Sequence, residues 1–137
     1  MRSDDDKPTP KGELSLMVVP LPSDTNANGD VYAGWLVKQM DQAAATTAGR
    51  ISHGRTATVA IDRMEFLSPL RVGSQVSCYT QLIDIGRSSM KIKVEVWTLD
   101  RNAHRPRKVT EALFVFVAID ENGRIRTVPE QNSTAKA

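Results

Sequence analysis

Ala33-Gly34-Trp35-Leu36-Val37-Lys38-Gln39-Met40-Asp41-Gln42-Ala43-Ala44-Ala45-Thr46-Thr47-Ala48-Gly49-Arg50-Ile51 is the stretch on which the fold turns. Trp35, Leu36, Met40, Ala43, Ala44 and Ala48 recur at three- and four-residue spacing with no proline, which predicts one helix from about Ala33 to Ile51. Its second half is small on nearly every side. Small residues let another backbone come close, so the helix can be enclosed at short range, and a curved sheet is the natural wrapper.

Strand signals surround this helix. Upstream, Leu14 to Val19 is a short apolar run stopped by Pro20 and Pro22. Ser23-Asp24-Thr25-Asn26-Ala27-Asn28-Gly29-Asp30 then reads as an ordered turn system, because these residues bond their own backbone or tolerate left-handed conformations. Asp30 is placed like a helix cap. Downstream come four strand-like segments: Thr58 to Phe66, Gln75 to Ile85, a third around Met90 to Val96, and Val109 to Ile119. Met90, Ile92, Val94 and Val96 alternate with Lys91, Lys93 and Glu95, which predicts one buried and one wet face. Leu113-Phe114-Val115-Phe116-Val117 is the most apolar run and reads as the central strand, and Asp120-Glu121-Asn122-Gly123 reads as a turn. Strand, helix and four antiparallel strands make an α+β layout, a curved antiparallel sheet wrapped around one long central helix in the hotdog manner.

The whole chain has 137 residues, 40% of them hydrophobic and 25% charged, which suits a single compact domain. Residues 1–12 carry Asp4, Asp5, Asp6 and Lys7 before Pro8 and Pro10 and read as a mobile arm, and residues 130–137 read as a loose tail. The folded unit is therefore expected over 13–129. No apolar run reaches the roughly 18 residues of a membrane-spanning helix and no leader is visible, so cytoplasm is the expected compartment. The lone Cys78 leaves no internal disulfide and no multi-thiolate zinc site. A net charge of +2 is far from the basic footprint of a nucleic-acid binder, and two histidines disfavour chemistry that needs several imidazoles.

Candidate chemistry collects around the helix. Asp41 shares a face with Val37, Ala44, Ala45 and Ala48 at the margin of the buried stripe. It reads either as a surface partner of Lys38 or as a functional carboxylate at a sheet or subunit boundary, where loss of water suits it to base or nucleophile work. At the helix start, backbone N–H groups near Gly34 are unpaired and could stabilise a carbonyl oxygen gaining negative charge, although an uneventful helix start explains Gly34 equally well. Asn26 is explained as a turn residue and could also hold a water or a carbonyl. Gly86-Arg87-Ser88-Ser89 offers a guanidinium, hydroxyls and backbone N–H groups to an anion, or else is a plain hairpin turn. His53-Gly54-Arg55 and Arg126 add positive charge near strand ends. The basic run from Arg101 to Lys108 lacks the aromatic platforms of single-strand nucleic-acid binding and reads as a solvated loop. No GxxxxGK[ST], GxGxxG or HExxH occurs.

Pro22 to Leu36, followed by Gln39-Met40-Asp41, resembles the signature of the YciA-type acyl-CoA thioesterases, hotdog-fold hydrolases related to brain acyl-CoA hydrolase. Further blocks match in order: His53-Gly54-Arg55, Phe66-Leu67-Ser68-Pro69, Val72-Gly73, Gly86-Arg87-Ser88-Ser89 with Lys91 to Trp97, and Arg126 to Pro129. The match covers about residues 14–129. The resemblance implies hydrolysis of fatty acyl-CoA to free acid and coenzyme A with no metal or organic cofactor. It implies that Asp41 is general base or nucleophile, that Asn26 assists, and that the Gly34 N–H polarises the thioester carbonyl. It further implies a homodimer with shared sites, commonly a trimer of dimers, and it makes His53, Gly54, Arg55, Gly86, Arg87, Ser88, Ser89 and Arg126 candidates for gripping coenzyme A. At position 33, where relatives often carry glycine, this chain has Ala33.

Two other readings compete. A non-catalytic hotdog that binds acyl-CoA as a regulator would need no helix carboxylate, and Asp41 speaks against it. A hotdog dehydratase would want a histidine facing an acid, and His53 and His104 are poorly placed for that.

Overall fold

The structure, a computed structural model, describes residues 9–131; residues 1–8 and 132–137, the bulk of the expected arm and tail, lie outside it. Strand β1 (Glu13–Val18) leads through a short 3-10 turn (Pro22–Asp24) to helix α1 (Ala33–Ser52), and β2 (Thr56–Phe66), β3 (Gln75–Ile85), β4 (Ser89–Leu99) and β5 (Arg107–Ala118) follow. The strands form one antiparallel sheet in the order β1-β3-β4-β5-β2, and the helix touches all five of them. This is the hotdog arrangement read from the sequence.

The wrapping works because the inner side of α1 is small over its second half, past Trp35, Leu36 and Met40. Met40, Ala44 and Ala48 have no exposed surface and Ala43 has 1%, so the sheet meets the helix at close range. Across from it lie Met90, Ile92, Val94 and Val96 of β4 and Phe114 and Phe116 of β5, all fully buried. The two phenyl rings stack with centroids 6.4 Å apart. β4 is the middle strand and β5 lies one place nearer the edge, which corrects the sequence expectation. The apolar run marks how deeply the inner face of β5 is buried, and sheet order depends on pairing that such a run does not encode. Cys78 sits in this core, where burial pushes its thiol up to about 12.

The outer face of the sheet departs from the expected wet surface. Lys91 is exposed and Lys93 half-buried, but Glu95 is only 3% exposed. The Trp97 indole N–H donates to its Oε1 at 2.9 Å, and the Lys11 backbone N–H does so at 3.4 Å. Glu95 stands opposite Glu111 on β5, and two like charges in direct register repel. Lys93 and Lys108 hold them together: Lys93 Nζ lies 3.7 Å from Glu95 and 3.5 Å from Glu111, and Lys108 bonds Glu111 and approaches Glu95 at 3.9 Å. A buried carboxylate persists only with such partners. Residues 11 and 12, expected within the arm, are thus tied to the sheet. Gly12 has φ +102°, and a Cβ there would lie 2.5 Å from the Thr80 carbonyl oxygen.

β2 is an edge strand and the most irregular. Its pairing with β5 shifts register between Thr58 and Ala60 and again between Asp62 and Glu65, where Arg63 takes a left-handed φ of 56°.

The Lys108 ammonium beside Glu111 and the Arg107 guanidinium beside Asp100 hold both carboxyls below their ordinary values of 4.5 and 3.8. A carboxyl depressed in the folded state binds protons more readily when unfolded, so stability is full above those ordinary values and falls as pH drops through them. Denaturant midpoints measured between pH 7 and pH 3 should fall in acid. Lys108→Met should flatten that decline, and an unchanged acid slope would refute the assignment.

Candidate functional site

The loop before α1 is as ordered as its composition predicts. The Asn26 N–H donates to the Asp30 carbonyl at 2.7 Å, and the Gly29 N–H donates to the Asn26 carbonyl at 3.0 Å. The Asn26 side-chain Oδ1 accepts the N–H groups of Asn28 and Asp30 at 2.9 and 3.1 Å. That oxygen therefore builds the turn. Asp30 is not the helix cap: α1 begins after Tyr32 with no side-chain cap, and Asp30 instead bridges toward Arg71, 3.7 Å away. Two residues of extended chain separate Asp30 from the first helical turn, so its oxygens cannot reach the N–H groups there.

The N–H groups of Ala33 and Gly34 precede the first intrahelical bond and find no partner among the described residues. Gly34 is exposed, and a Cβ on it would make only ordinary contacts with the Tyr32 ring, so folding of the protomer does not demand glycine there. The helix start thus offers donors at the surface.

Asp41 lies two turns farther on, half-buried at the edge of the inner stripe. Its Oδ1 accepts a hydrogen bond of 2.7 Å from Thr58 Oγ1 on β2, which corrects the Lys38 pairing: no Lys38 ion pair forms among the described residues. A carboxylate fixed through one oxygen keeps the other for chemistry. Thr58 escaped the sequence reading. Its sequence signal is that of any strand residue, and only the docking of α1 on β2 places its hydroxyl at the carboxylate.

The residues expected to grip coenzyme A converge at the other end of the helix. His53 ends α1 in a left-handed conformation with φ 56°. Arg126 reaches back to the same corner, where Nη1 donates to the Ser52 carbonyl at 2.9 Å and Nη2 to the Arg55 carbonyl at 3.2 Å, while Nε donates to the Ile119 carbonyl at 2.8 Å. Positive charge at a helix C-terminus suits the dipole. The guanidinium passes so close that a Cβ on Gly54 would lie 2.7 Å from Nη2. Arg55 Nη1 donates to the Glu121 carbonyl at 2.9 Å. The Gly86–Ser89 turn is tied in by N–H donation from Ala118 to the Ser88 carbonyl and from Val128 to the Arg87 carbonyl, each at 2.8 Å. The Arg87 side chain is exposed. Arg55 and Arg126 thus already bond carbonyls, whereas Arg87 stands out in solvent.

Among the described residues no three His, Cys, Asp or Glu side chains gather as a metal site would need, and no helix is long and apolar enough to cross a membrane.

The thioesterase superfamily matches residues 28–103. The acyl-CoA thioester hydrolase YciA of Salmonella typhimurium is 46% identical over 127 residues, covering 90% of this chain and 95% of that protein. The chain belongs to the YciA-type thioesterases. The crystal structure of a hexameric broad-specificity acyl-coenzyme A thioesterase superposes with a TM-score of 0.87 at 46% identity, covering 97% of this chain and 92% of that one. The hexameric thioesterase y2039 from Yersinia pestis superposes with a TM-score of 0.85 at 44% identity, covering 90% of this chain and all of the other. These two thioesterase structures share the helix-and-sheet fold on which Asp41, Gly34 and the basic corner of this chain are mounted.

Gly54→Ala should shift the Arg126 guanidinium and weaken its bonds to the Ser52 and Arg55 carbonyls, destabilising the fold by about 0.5–1.5 kcal/mol. Denaturant unfolding measures this, and a variant as stable as the parent would show that the close approach is dispensable.

Proposed function

We propose that Asp41 drives attack on the thioester carbonyl of a fatty acyl-CoA. The protein is an acyl-CoA thioester hydrolase, releasing free acid and coenzyme A. The observation that carries the proposal is the half-buried Asp41 carboxylate held by Thr58 Oγ1 at 2.7 Å, with its second oxygen unengaged among the described residues. As general base that oxygen takes a proton from water as the water oxygen bonds to the carbonyl carbon, and the carbonyl oxygen becomes an oxyanion facing backbone N–H donors. Collapse of this intermediate breaks the C–S bond, and the proton passes to the departing thiolate. As nucleophile, Asp41 would bond to the same carbon and expel the thiolate first, and water would then hydrolyse the mixed anhydride. A thioester has a good leaving group, so one oriented carboxylate and one oxyanion donor can suffice, and neither route calls on a metal or an organic cofactor.

The donor comes from a second copy of the chain. Gly34 and Asp41 are seven residues apart on one helix, about 10 Å along its axis, while a reacting carbonyl must lie about 3 Å from the donor and be reached by the carboxylate directly or through one water. That separation favours a donor from another chain. β2 is one of the two sheet edges, and it exposes Val59 at 56%, Ile61 at 43% and Phe66 at 52%. Antiparallel pairing of two β2 edges makes a two-fold dimer with two shared sites, each joining Asp41 of one chain to the helix start of the other. The hexameric relatives support three such dimers. Asn26 assists from the loop before the donor helix, its amide nitrogen being the group left to reach a water or the carbonyl. His53, Gly54, Arg55, Gly86, Arg87, Ser88, Ser89 and Arg126 receive the nucleotide end of coenzyme A, with Arg87 the residue best able to meet phosphate directly.

Asp41→Asn should keep the fold and lower turnover on acyl-CoA by about a hundredfold or more. Thr58→Val, which frees the carboxylate to rotate, should cost about tenfold in kcat with little change in KM. Release of thiol to Ellman's reagent reads both, and Cys78, buried with its thiol pushed up to about 12, stays silent in the folded enzyme. Near-parental turnover in Asp41→Asn would sink the mechanism.

A further inference from the structure

The strap from Phe66 to Arg71 joins β2 to β3 and is held more firmly than a connection of its length requires. The Leu67 N–H donates to the Val109 carbonyl at 2.8 Å, and the Leu70 carbonyl accepts the Val31 N–H at 2.8 Å, beside the helix start. Between those anchors Arg107, the first residue of β5, inserts its guanidinium. Nη2 donates to the Pro69 carbonyl at 2.9 Å and Nη1 bonds Ser68 Oγ. Nε donates to Asp100 Oδ2 at 2.7 Å and Nη2 to Asp100 Oδ1 at 3.3 Å, and Ser74 Oγ donates to Asp100 Oδ1 at 2.9 Å. The sequence reading placed Arg107 in a solvated basic loop. The loop proper ends earlier, and Arg107 is half-buried because one planar fork here serves a carboxylate, a hydroxyl and a carbonyl at once.

The strap walls a cavity of about 360 Å³ at the start of α1, lined by Val31, Leu36, Phe66, Leu67, Leu70 and Val109 among others. That volume falls in the range of small-molecule sites. The two arms of an acyl-CoA differ sharply, one a hydrocarbon and the other a polyanion. The cavity is mainly apolar, although Asp30 also lines it, and it includes Ala33, the residue before the Gly34 donor, whereas the basic corner lies at the far end of the 20-residue helix, about 30 Å away. The hydrocarbon arm belongs in the cavity.

Resting on the hydrolase reading above, we propose that Arg107, seated on Asp100, is a positioning residue that sets acyl-chain selectivity by fixing the Phe66–Leu70 wall of this cavity. Arg107 touches no reacting atom. It acts through Ser68 and Pro69, whose place decides how far Phe66 and Leu67 stand from Leu36 and hence how long a chain fits. Lysine keeps the charge but cannot span all three partners.

The test compares kcat/KM for acetyl-, octanoyl- and palmitoyl-CoA in the parent, Arg107→Lys, Asp100→Asn and Phe66→Ala, alongside thermal melting. Each variant should shift the ratio of long-chain to short-chain kcat/KM by about tenfold, through KM more than kcat, and the two clamp variants should shift it in the same direction. Arg107→Lys or Asp100→Asn that folds and changes all three substrates by one common factor overturns the proposal, because loss of general stability has no chain-length preference. An unshifted Phe66→Ala overturns the placement of the acyl chain. If Arg107→Lys fails to fold, Asp100→Asn and Phe66→Ala decide the matter. A parent that releases no thiol from any of the three would overturn the hydrolase reading itself, a distinct result from an active parent with unshifted variants.

Discussion

The close contact between an alanine-faced helix and a curved sheet is the constraint from which the rest follows. Over the second half of α1, Ala43, Ala44 and Ala48 leave little side-chain volume against the strands, so the sheet can bend around the helix and touch it with all five members. Interiors pack at crystal-like density, and adding even one methylene to such a face forces backbone shifts. That tightness also makes the site geometry sharp. A helix held this firmly cannot rotate, so Asp41 at the rim of its buried stripe meets Thr58 of β2 in one register, and its free oxygen has one direction.

The same tightness moves charge to the outer face of the sheet. With the inner face filled by hydrocarbon, the alternation of β4 and β5 leaves Glu95 and Glu111 side by side on the other side, where Lys93 and Lys108 neutralise them and Trp97 bonds the buried Glu95. Removing one lysine would leave the buried Glu95 short of a partner where water reaches poorly, which costs more than the ion pair itself contributes. The network holds two neighbouring strands in register at the middle of the sheet.

The architecture was legible in the sequence because its signals are local. Spacing of Trp35, Leu36, Met40 and Ala44 marks a helix, alternation from Met90 to Val96 marks a half-buried strand, and the composition from Ser23 to Asp30 marks a tight turn system, as found. What stayed hidden depends on contacts between distant segments. Glu95 looks like any outward polar residue until Trp97 and Lys11 close over it. Thr58 is one threonine in a strand until α1 docks beside it, and Arg107 is one of several arginines until Asp100, Ser68 and Pro69 gather around it. The mistaken placement of β5 at the sheet centre has the same origin. Hydrophobicity reports how deeply a strand is buried, whereas order in a sheet is settled by which edges find each other.

An exposed apolar edge is a liability in a monomer, and proteins usually blunt one with charge, proline or a bulge. β2 has two irregularities in its pairing, yet Val59, Ile61 and Phe66 remain open to solvent along it. The helix geometry gives this edge a use. With Gly34 and Asp41 about 10 Å apart on a single rod, the proposed base and the proposed oxyanion donor are better brought to one carbonyl by a second helix running antiparallel beside the first, and two β2 edges joined by a two-fold axis would bring that about. On this reading the open edge and the divided catalytic groups answer each other. Charged substitutions at Val59 and Ile61 would then reduce activity in step with assembly, although neither residue touches the reacting atoms.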